Sequence, residues 1–246
     1  MSRFEVISVL GKGGGGVVYR GWDHQRGCPV AIKTLAEPYS PDDAARFARE
    51  AEALVVLRHP HVVRALALLP GPPPQLIMEL LPDGSLEDRL RAEGAQPIPR
   101  VVRWGVLLAD TLAFVHARGF VHRDLKPANV LLDGDQLKLA DFGLTRGDAA
   151  HTITQTGEVL GTPGYLAPEQ ALGQPVGPQT DVYGLGALLY ALLGGQPPAG
   201  GASALETLRR VADGELTPLR RRRPDVPPWL ERVVARCLAT DPRDRY

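Results

Sequence analysis

Apolar and polar positions alternate in three short runs near the start of the chain, Phe4 to Leu10, Val17 to Trp22 and Pro29 to Leu35, with glycine-rich or polar turns between them. β-Branched residues at period two, bounded by turn formers, predict three antiparallel strands. Ser40-Pro41-Asp42-Asp43 supplies a cap, a proline at the first helical position and an acid three residues after the cap, which predicts a helix running to about Arg58. Arg64 to Leu69 and Gln75 to Met78 read as two further strands, joined by Pro70-Gly71-Pro72-Pro73-Pro74. Beyond Met78 the spacing lengthens to that of helices. One is expected from about Val101 to Arg118, closed by Gly119, and another covers Val182 to Leu193, which is apolar on every face as in a buried pillar. The pattern is α+β in two lobes. Residues 1–78 form a small antiparallel β lobe with one key helix, 79–84 a hinge, and 85–246 a larger, mostly helical lobe.

A chain of 246 residues buries roughly three quarters of its unfolded surface, enough for two lobes sharing a cleft. Its 28 basic and 28 acidic residues balance, so no bulk field favours nucleic acid or an anionic membrane, and any anion site is local. Cys28 and Cys237 stand far apart with neither disulfide nor metal spacing, which suits a reducing, cytoplasmic compartment. Met1 to Leu10 lacks the apolar core of a signal peptide and Val182 to Leu193 is too short to span a bilayer, so no membrane contact is expected in this segment. Arg220 to Arg223 is a charge run able to dock an acidic partner, and it reads first as a solvated loop.

The chemistry concentrates in a few places. Gly11, Gly13 and Gly16 form G-x-G-x-x-G, whose bare backbone lets N–H groups approach phosphate oxygens. Because Val17-Val18-Tyr19 continues as a strand and not a helix, these glycines cap a hairpin, and a plain flexible turn is the alternative. Val30-Ala31-Ile32-Lys33 sets a lysine on an otherwise apolar strand, where a buried ammonium needs an anionic partner. Steps of 100° put Phe47, Ala51, Leu54 and Leu57 on one helical stripe with Glu50 inside it, and Glu50 becomes the partner, whether for a ligand site or a structural ion pair. His122-Arg123-Asp124-Leu125-Lys126-Pro127-Ala128-Asn129 and Asp141-Phe142-Gly143 flank a hairpin turning at Asp133-Gly134-Asp135, so Asn129 and Asp141 meet at its open end. Two oxygen ligands there suit magnesium shared with phosphates, with manganese as an alternative. Asp124 can take a proton from an attacking hydroxyl, and Lys126 can offset charge on a transferring phosphoryl group.

With these motifs in this order, the chain resembles a eukaryotic-type (Hanks-type) serine/threonine protein kinase catalytic domain of the bacterial branch, over Phe4 to Tyr246. The resemblance implies the bilobal protein kinase fold and transfer of the γ-phosphate of ATP, with magnesium, to protein hydroxyls. It makes Asp124, Lys126, Lys33 and Glu50 catalytic, and Gly11, Lys12, Gly13, Gly14, Gly15, Gly16 and Val18 the loop over the phosphates. Ala31, Val18 and Leu131 would sandwich adenine, Met78 would guard the rear, and Glu79 and Leu81 would offer hinge backbone groups. Asn129 and Asp141 would hold the metal. His122 and Phe142, with Leu54, would form an internal stack, although the chemistry of His122 alone also suits a base.

The segment between Asp141 and Glu169 resembles an activation segment closed by Gly161-Thr162-Pro163-Gly164-Tyr165-Leu166-Ala167-Pro168-Glu169, with the Thr162 hydroxyl expected beside Asp124 and Lys126. Arg123 would hold that segment once phosphorylated, with Thr154 and Thr156 as candidate sites unless they are purely structural. Asp181 would brace the loop around Asp124 and Arg245 would pair with Glu169. Expected partners are proteins bearing serine or threonine, the chain itself by autophosphorylation, and a second copy as a dimer. The unbroken run Gly13 to Gly16 predicts a mobile phosphate loop, and the end at Tyr246 suggests the cytoplasmic part of a longer, membrane-linked protein. Two rivals are a nucleotide-binding scaffold, opposed by the full set Lys33, Asp124, Asn129 and Asp141, and a small-molecule phosphotransferase, opposed by Ala167-Pro168-Glu169.

Overall fold

A computed structural model describes residues 2–13, 16–142 and 162–246; Thr154, Thr156, Gly14, Gly15 and Gly143 lie outside the described residues. Strands β1 (Phe4–Gly13), β2 (Gly16–Asp23) and β3 (Cys28–Thr34) form an antiparallel meander. β5 (Gln75–Glu79) inserts between β3 and β4 (Ala65–Leu69), giving the order β1-β2-β3-β5-β4 with every pair antiparallel. The period-two alternation sorts the two faces. Val30, Ile32 and Ile77 pack together with Phe4, while Ala31, Leu76 and Met78 join the core that continues into the larger lobe. β1 runs three residues past the expected Leu10 because pairing continues through the glycines, Gly11 with Val18, Lys12 with Val17 and Gly13 with Gly16. Gly16 also has a local reason to be glycine: its φ is 121° and a Cβ there would lie 2.0 Å from the Thr34 carbonyl oxygen.

Helix α1 (Pro41–Val56) begins at the expected cap, where Ser40 Oγ accepts from Asp43 N and the Asp43 carboxylate accepts from Ser40 N. It stops at Val56, two residues before the expected end, with Leu57 as its cap. Phe47, Glu50, Ala51 and Leu54 are buried on one side and Glu52 is exposed. The following segment, 57–64, is stitched to the larger lobe. Val63 N donates to Leu139 O at 2.8 Å, Leu139 N donates to His61 O at 2.9 Å, and His61 Nδ1 lies 2.8 Å from Leu137 O.

In the larger lobe α2 (Leu86–Glu93) was not expected, although Ser85 and Asp88 form a second capping box. α3 (Ile98–His116) starts three residues before the expected Val101, since prolines at 97 and 99 are tolerated in a first turn that needs no donors, and it ends at the Ala117 cap. β6 (Val130–Asp133) and β7 (Gln136–Leu139) make the expected hairpin, with Gly134 at φ 60°. The short α4 (Pro168–Ala171) precedes α5 (Pro178–Gly194), which is buried on all sides and is the pillar expected around Val182 to Leu193. Its Gly186 lets α8 (Pro228–Cys237) come close, since a Cβ there would sit 2.6 Å from Cys237 Cβ. α6 (Ala204–Ala212) and α7 (Leu219–Arg222) complete the lobe. The arginine run is not a solvated loop: Arg220 to Arg222 belong to α7, and Arg223 Nη1 donates to Gln96 O (2.6 Å) and Leu193 O (3.2 Å), closing the end of α5. No helix among the described residues is long and apolar enough to cross a membrane.

Asp23 sits at the rim of the sheet, covered by Arg3 and its own turn, and accepts from Arg3 Nη2 (2.8 Å), Arg3 Nε (3.1 Å), Gln25 N (3.0 Å) and Arg26 N (3.2 Å). The Arg3 bond chiefly draws its pKa from 3.8 down to about 2. A carboxyl depressed on folding stabilises the fold fully above its unfolded pKa and loses that contribution as pH falls toward its folded one. Asp23→Asn therefore lowers the urea midpoint at pH 6, and the gap from the parent narrows as the pH drops below about 4. A gap independent of pH would overturn this assignment.

Candidate active site

The loop 122–129 joins α3 to β6, and its shape is fixed from beneath. Asp181, in the first turn of α5, is fully covered and accepts from Arg123 N (2.7 Å), His122 N (2.8 Å) and His116 Nε2 (2.7 Å). Gln170 Nε2 donates to Arg123 O at 2.7 Å, and Arg123 is held at φ 67°, where a non-glycine residue costs about 1–3 kcal/mol. His122 is fully buried. Its Nδ1 accepts from Asp124 N (3.3 Å), its Nε2 lies 3.0 Å from Ala140 O, and its ring stacks on Phe142 at 4.7 Å between centroids. With both nitrogens committed, His122 is a strut between this loop and the residues around Asp141, and Leu54 lies in the same apolar core as Phe142.

The Asp124 carboxylate is the focus of the loop. Its Oδ2 accepts from Lys126 Nζ (2.8 Å) and Asn129 Nδ2 (3.0 Å), and Asn129 Nδ2 also donates to Asp124 O (2.7 Å). Both amide hydrogens of Asn129 are thereby spent on Asp124, which leaves its oxygen as the end able to ligate a cation. Ala140 N donates to Asn129 O at 2.9 Å, so the open end of the hairpin brings residue 129 beside residue 141.

Across the lobes, Lys33 Nζ lies 2.7 Å from Glu50 Oε1 and 2.8 Å from Asp141 Oδ1. Burial acts to lower the lysine pKa, but the Asp141 and Glu50 carboxylates outweigh it and hold the ammonium charged. The two carboxylates are unequal. For both, burial is the strongest influence and acts upward; at Glu50 it prevails, with Asp141 adding repulsion, whereas at Asp141 the Lys33 charge wins and keeps the group below its ordinary value. Asp141 stands at φ 52°, and although it lies deep in the fold its side chain is 42% open, which is the surface a cation or phosphate would meet. Among the described residues no group of three or more His, Cys, Asp or Glu could hold a metal unaided. A site of Asn129 and Asp141 oxygens fits magnesium sharing its shell with phosphates.

A model of the protein kinase domain family matches residues 4–246. The chain belongs to the protein kinase domain family. It is 40% identical over 254 residues to the serine/threonine-protein kinase PknL of Mycobacterium tuberculosis, covering 100% of this chain and 62% of that protein. It is also 40% identical over 262 residues to PkaA of Streptomyces coelicolor (99% and 48%), and 36% identical over 254 residues to PknB of Mycolicibacterium smegmatis (99% and 41%). The kinase domain therefore spans between about two and three fifths of the length of these relatives. Rad53 residues 1–466, solved in complex with AMP-PNP, superimposes with a TM-score of 0.84 at 24% identity, over 99% of this chain and 62% of that one, a likeness of fold.

In this kinase domain Ala31 and Met78 are cross-strand partners and share one apolar cluster with Leu81, against which Val18 and Leu131 pack. Leu81 backbone groups enter no hydrogen bond among the described residues. Glu79 is partly committed elsewhere, since its N–H donates to Arg64 O (3.1 Å) and its carboxylate accepts from Lys138 Nζ (2.6 Å) and Arg64 N (2.8 Å). Thr162 is exposed and lines a small cleft together with Asp124. Glu169 and Arg245 form a buried two-point pair at 2.8 Å in each bond, with Thr180 Oγ1 donating to Glu169 at 2.8 Å.

Sequence reasoning missed three supports of this site: His116, Gln170 and Lys138. A histidine in the last turn of a helix was a weak signal for His116. Nothing local marked the other two, whose partners lie 47 and 59 residues away.

Proposed function

We propose that the protein is a serine/threonine protein kinase that transfers the γ-phosphoryl group of ATP to hydroxyls of protein substrates in the cytoplasm. The carrying observation is the hydrogen-bonded cluster of Asp124, Lys126 and Asn129 next to the Lys33–Asp141 pair. Adenine lies between Ala31 and Val18 above and Leu131 below, with Met78 at the rear and the Glu79 and Leu81 backbones at its edge. Lys33, held charged by Glu50, binds phosphates; Gly11, Lys12, Gly13 and Gly16, with Gly14 and Gly15, cover them. Asn129 and Asp141 would hold magnesium, which supplies charge neutralisation on the phosphates when bound. The substrate hydroxyl oxygen bonds to the γ-phosphorus as the bond to the bridging oxygen breaks and ADP departs. The hydroxyl proton passes to Asp124, while Lys126, 2.8 Å from that carboxylate, offsets charge on the group in transit.

Control by autophosphorylation at Thr154 or Thr156, read by Arg123 and with Thr162 facing the acceptor, belongs to the same reading and rests on the sequence motifs. Transfer between the two copies of a dimer would serve it. Incubation with γ-labelled ATP and magnesium, followed by phosphoamino-acid analysis of the protein and an added protein substrate, tests this. Phosphoserine and phosphothreonine are expected, with phosphopeptides mapping to residues 152–156. Label confined to tyrosine or to small molecules would overturn the proposal, and label absent from 152–156 in an active preparation would overturn the regulatory part.

A further inference from the structure

On the rear of the small lobe, away from the Asp124 cluster, the end of α1, the segment after it and β4 enclose an open groove of about 670 Å³. Leu54, Leu57 and Val62 close it from behind at no more than 2% exposed, and the apolar surface it presents belongs to Val55, 46% exposed, to exposed Pro60 and to half-buried Ala65 and Leu66. The rim is cationic. Among the described residues, Arg26, Arg58, Arg64 and Lys138 face a single carboxylate, Glu79, so that lining carries three net positive charges in a chain whose own charge is zero. Burial chiefly lowers the pKa of His59 on the same wall, which favours its neutral form.

The one acid is already used, since Glu79 Oε1 accepts from Lys138 Nζ at 2.6 Å and from Arg64 N at 2.8 Å. Arg26 leans 3.9 Å from Asp23, which Arg3 already satisfies. The guanidinium groups of Arg58 and Arg64 enter no ion pair or hydrogen bond among the described residues. Neither belongs to the machinery assigned above.

We infer that this groove is a docking site for an acidic peptide segment carrying apolar side chains, aliphatic groups against Val55, Pro60 and Leu66 and carboxylates on Arg58 and Arg64. Charge complementarity selects an acidic occupant, and guanidinium matches carboxylate in a two-pronged geometry. Among the described residues the wall holds no Phe, Tyr or Trp on which bases stack, which disfavours a nucleic acid strand, and its concavity disfavours a planar lipid surface. Among the described residues β4 ends the sheet and pairs with β5 alone, so an extended segment finds backbone groups along the strand that lines the groove.

The test is fluorescence anisotropy of the whole chain with labelled decapeptides of alternating Glu and Leu, Gln and Leu, or Lys and Leu. The Glu/Leu peptide is expected to bind at least about tenfold more tightly than either other peptide. Its binding weakens as NaCl rises from about 50 to about 500 mM, because exposed charges are screened. Arg58→Gln with Arg64→Gln weakens it about tenfold at an unchanged melting temperature, and Arg58→Glu with Arg64→Glu abolishes it. Equal affinity for the Gln/Leu peptide, indifference to both double variants, no peptide binding at all, or binding only to phosphatidylserine vesicles would each overturn the inference.

Discussion

Asp124→Asn lowers phosphoryl transfer by about 10²–10⁴-fold, the range for removal of a general acid or base, and leaves the melting temperature nearly unchanged. The amide cannot take up the hydroxyl proton, so the loss falls on kcat, while KM for ATP stays close to the parent value. Stability is spared for two reasons. The side chain is 26% exposed and strands no deeply buried charge, and the strongest tie from Asn129 goes to the Asp124 backbone oxygen at 2.7 Å, which the variant retains. An asparagine oxygen can still accept from Lys126 and Asn129 Nδ2. Steady-state rates with saturating ATP and magnesium decide the matter. A variant within tenfold of the parent would remove Asp124 from the chemistry, and one that fails to fold would make it a structural acid.

Arg245→Ala is expected to destabilise the fold by about 3–5 kcal/mol, the cost of breaking a buried ion pair from one side. The Arg245 and Glu169 side chains are 0% and 4% exposed. All five guanidinium N–H donors are used, two on the Glu169 carboxylate and the others on the carbonyls of Gln179, Ala239 and Thr240. Truncation leaves the buried carboxylate without its counter-charge, holding only the Thr180 hydroxyl, and takes one donor from each of three carbonyls, and Arg245→Lys recovers little because an ammonium cannot reproduce the planar fork. At roughly 2–4 °C per kcal/mol for a chain of this size, the melting temperature drops by about 10 °C. A loss below about 1 kcal/mol in urea titration would show that the pair is not holding these segments together.

What could be read from the sequence was whatever depends on short range. The Ser40 cap, the stripe that carries Glu50, the Gly134 turn and the apolar pillar of α5 are each written within a few residues, and the structure has all four. Helix ends were less legible because prolines at 97 and 99 start α3 where periodicity alone placed Val101. The short α2 escaped because eight residues carry too little period, although Ser85 and Asp88 spelled its cap. At the site, motif order placed Lys33, Glu50, Asp124, Asn129 and Asp141, and the structure gathers them. Motif order could not show that Lys33 is shared between Glu50 and Asp141, or that Glu79 leans toward Lys138, since those depend on which side chains meet across the fold.

The backbone stitching of residues 57–64 onto β7 makes the far end of α1 a fixed pivot. From Leu57 back to Glu50 is about 10 Å of helix. A rotation of α1 itself by about 10° about that end would sweep Glu50 through nearly 2 Å, by lever geometry at that radius, against its 2.7 Å link to Lys33 on the neighbouring strand. α1 is thus a pointer with a short dial, whose angle against the sheet sets the reach of Glu50 to the lysine.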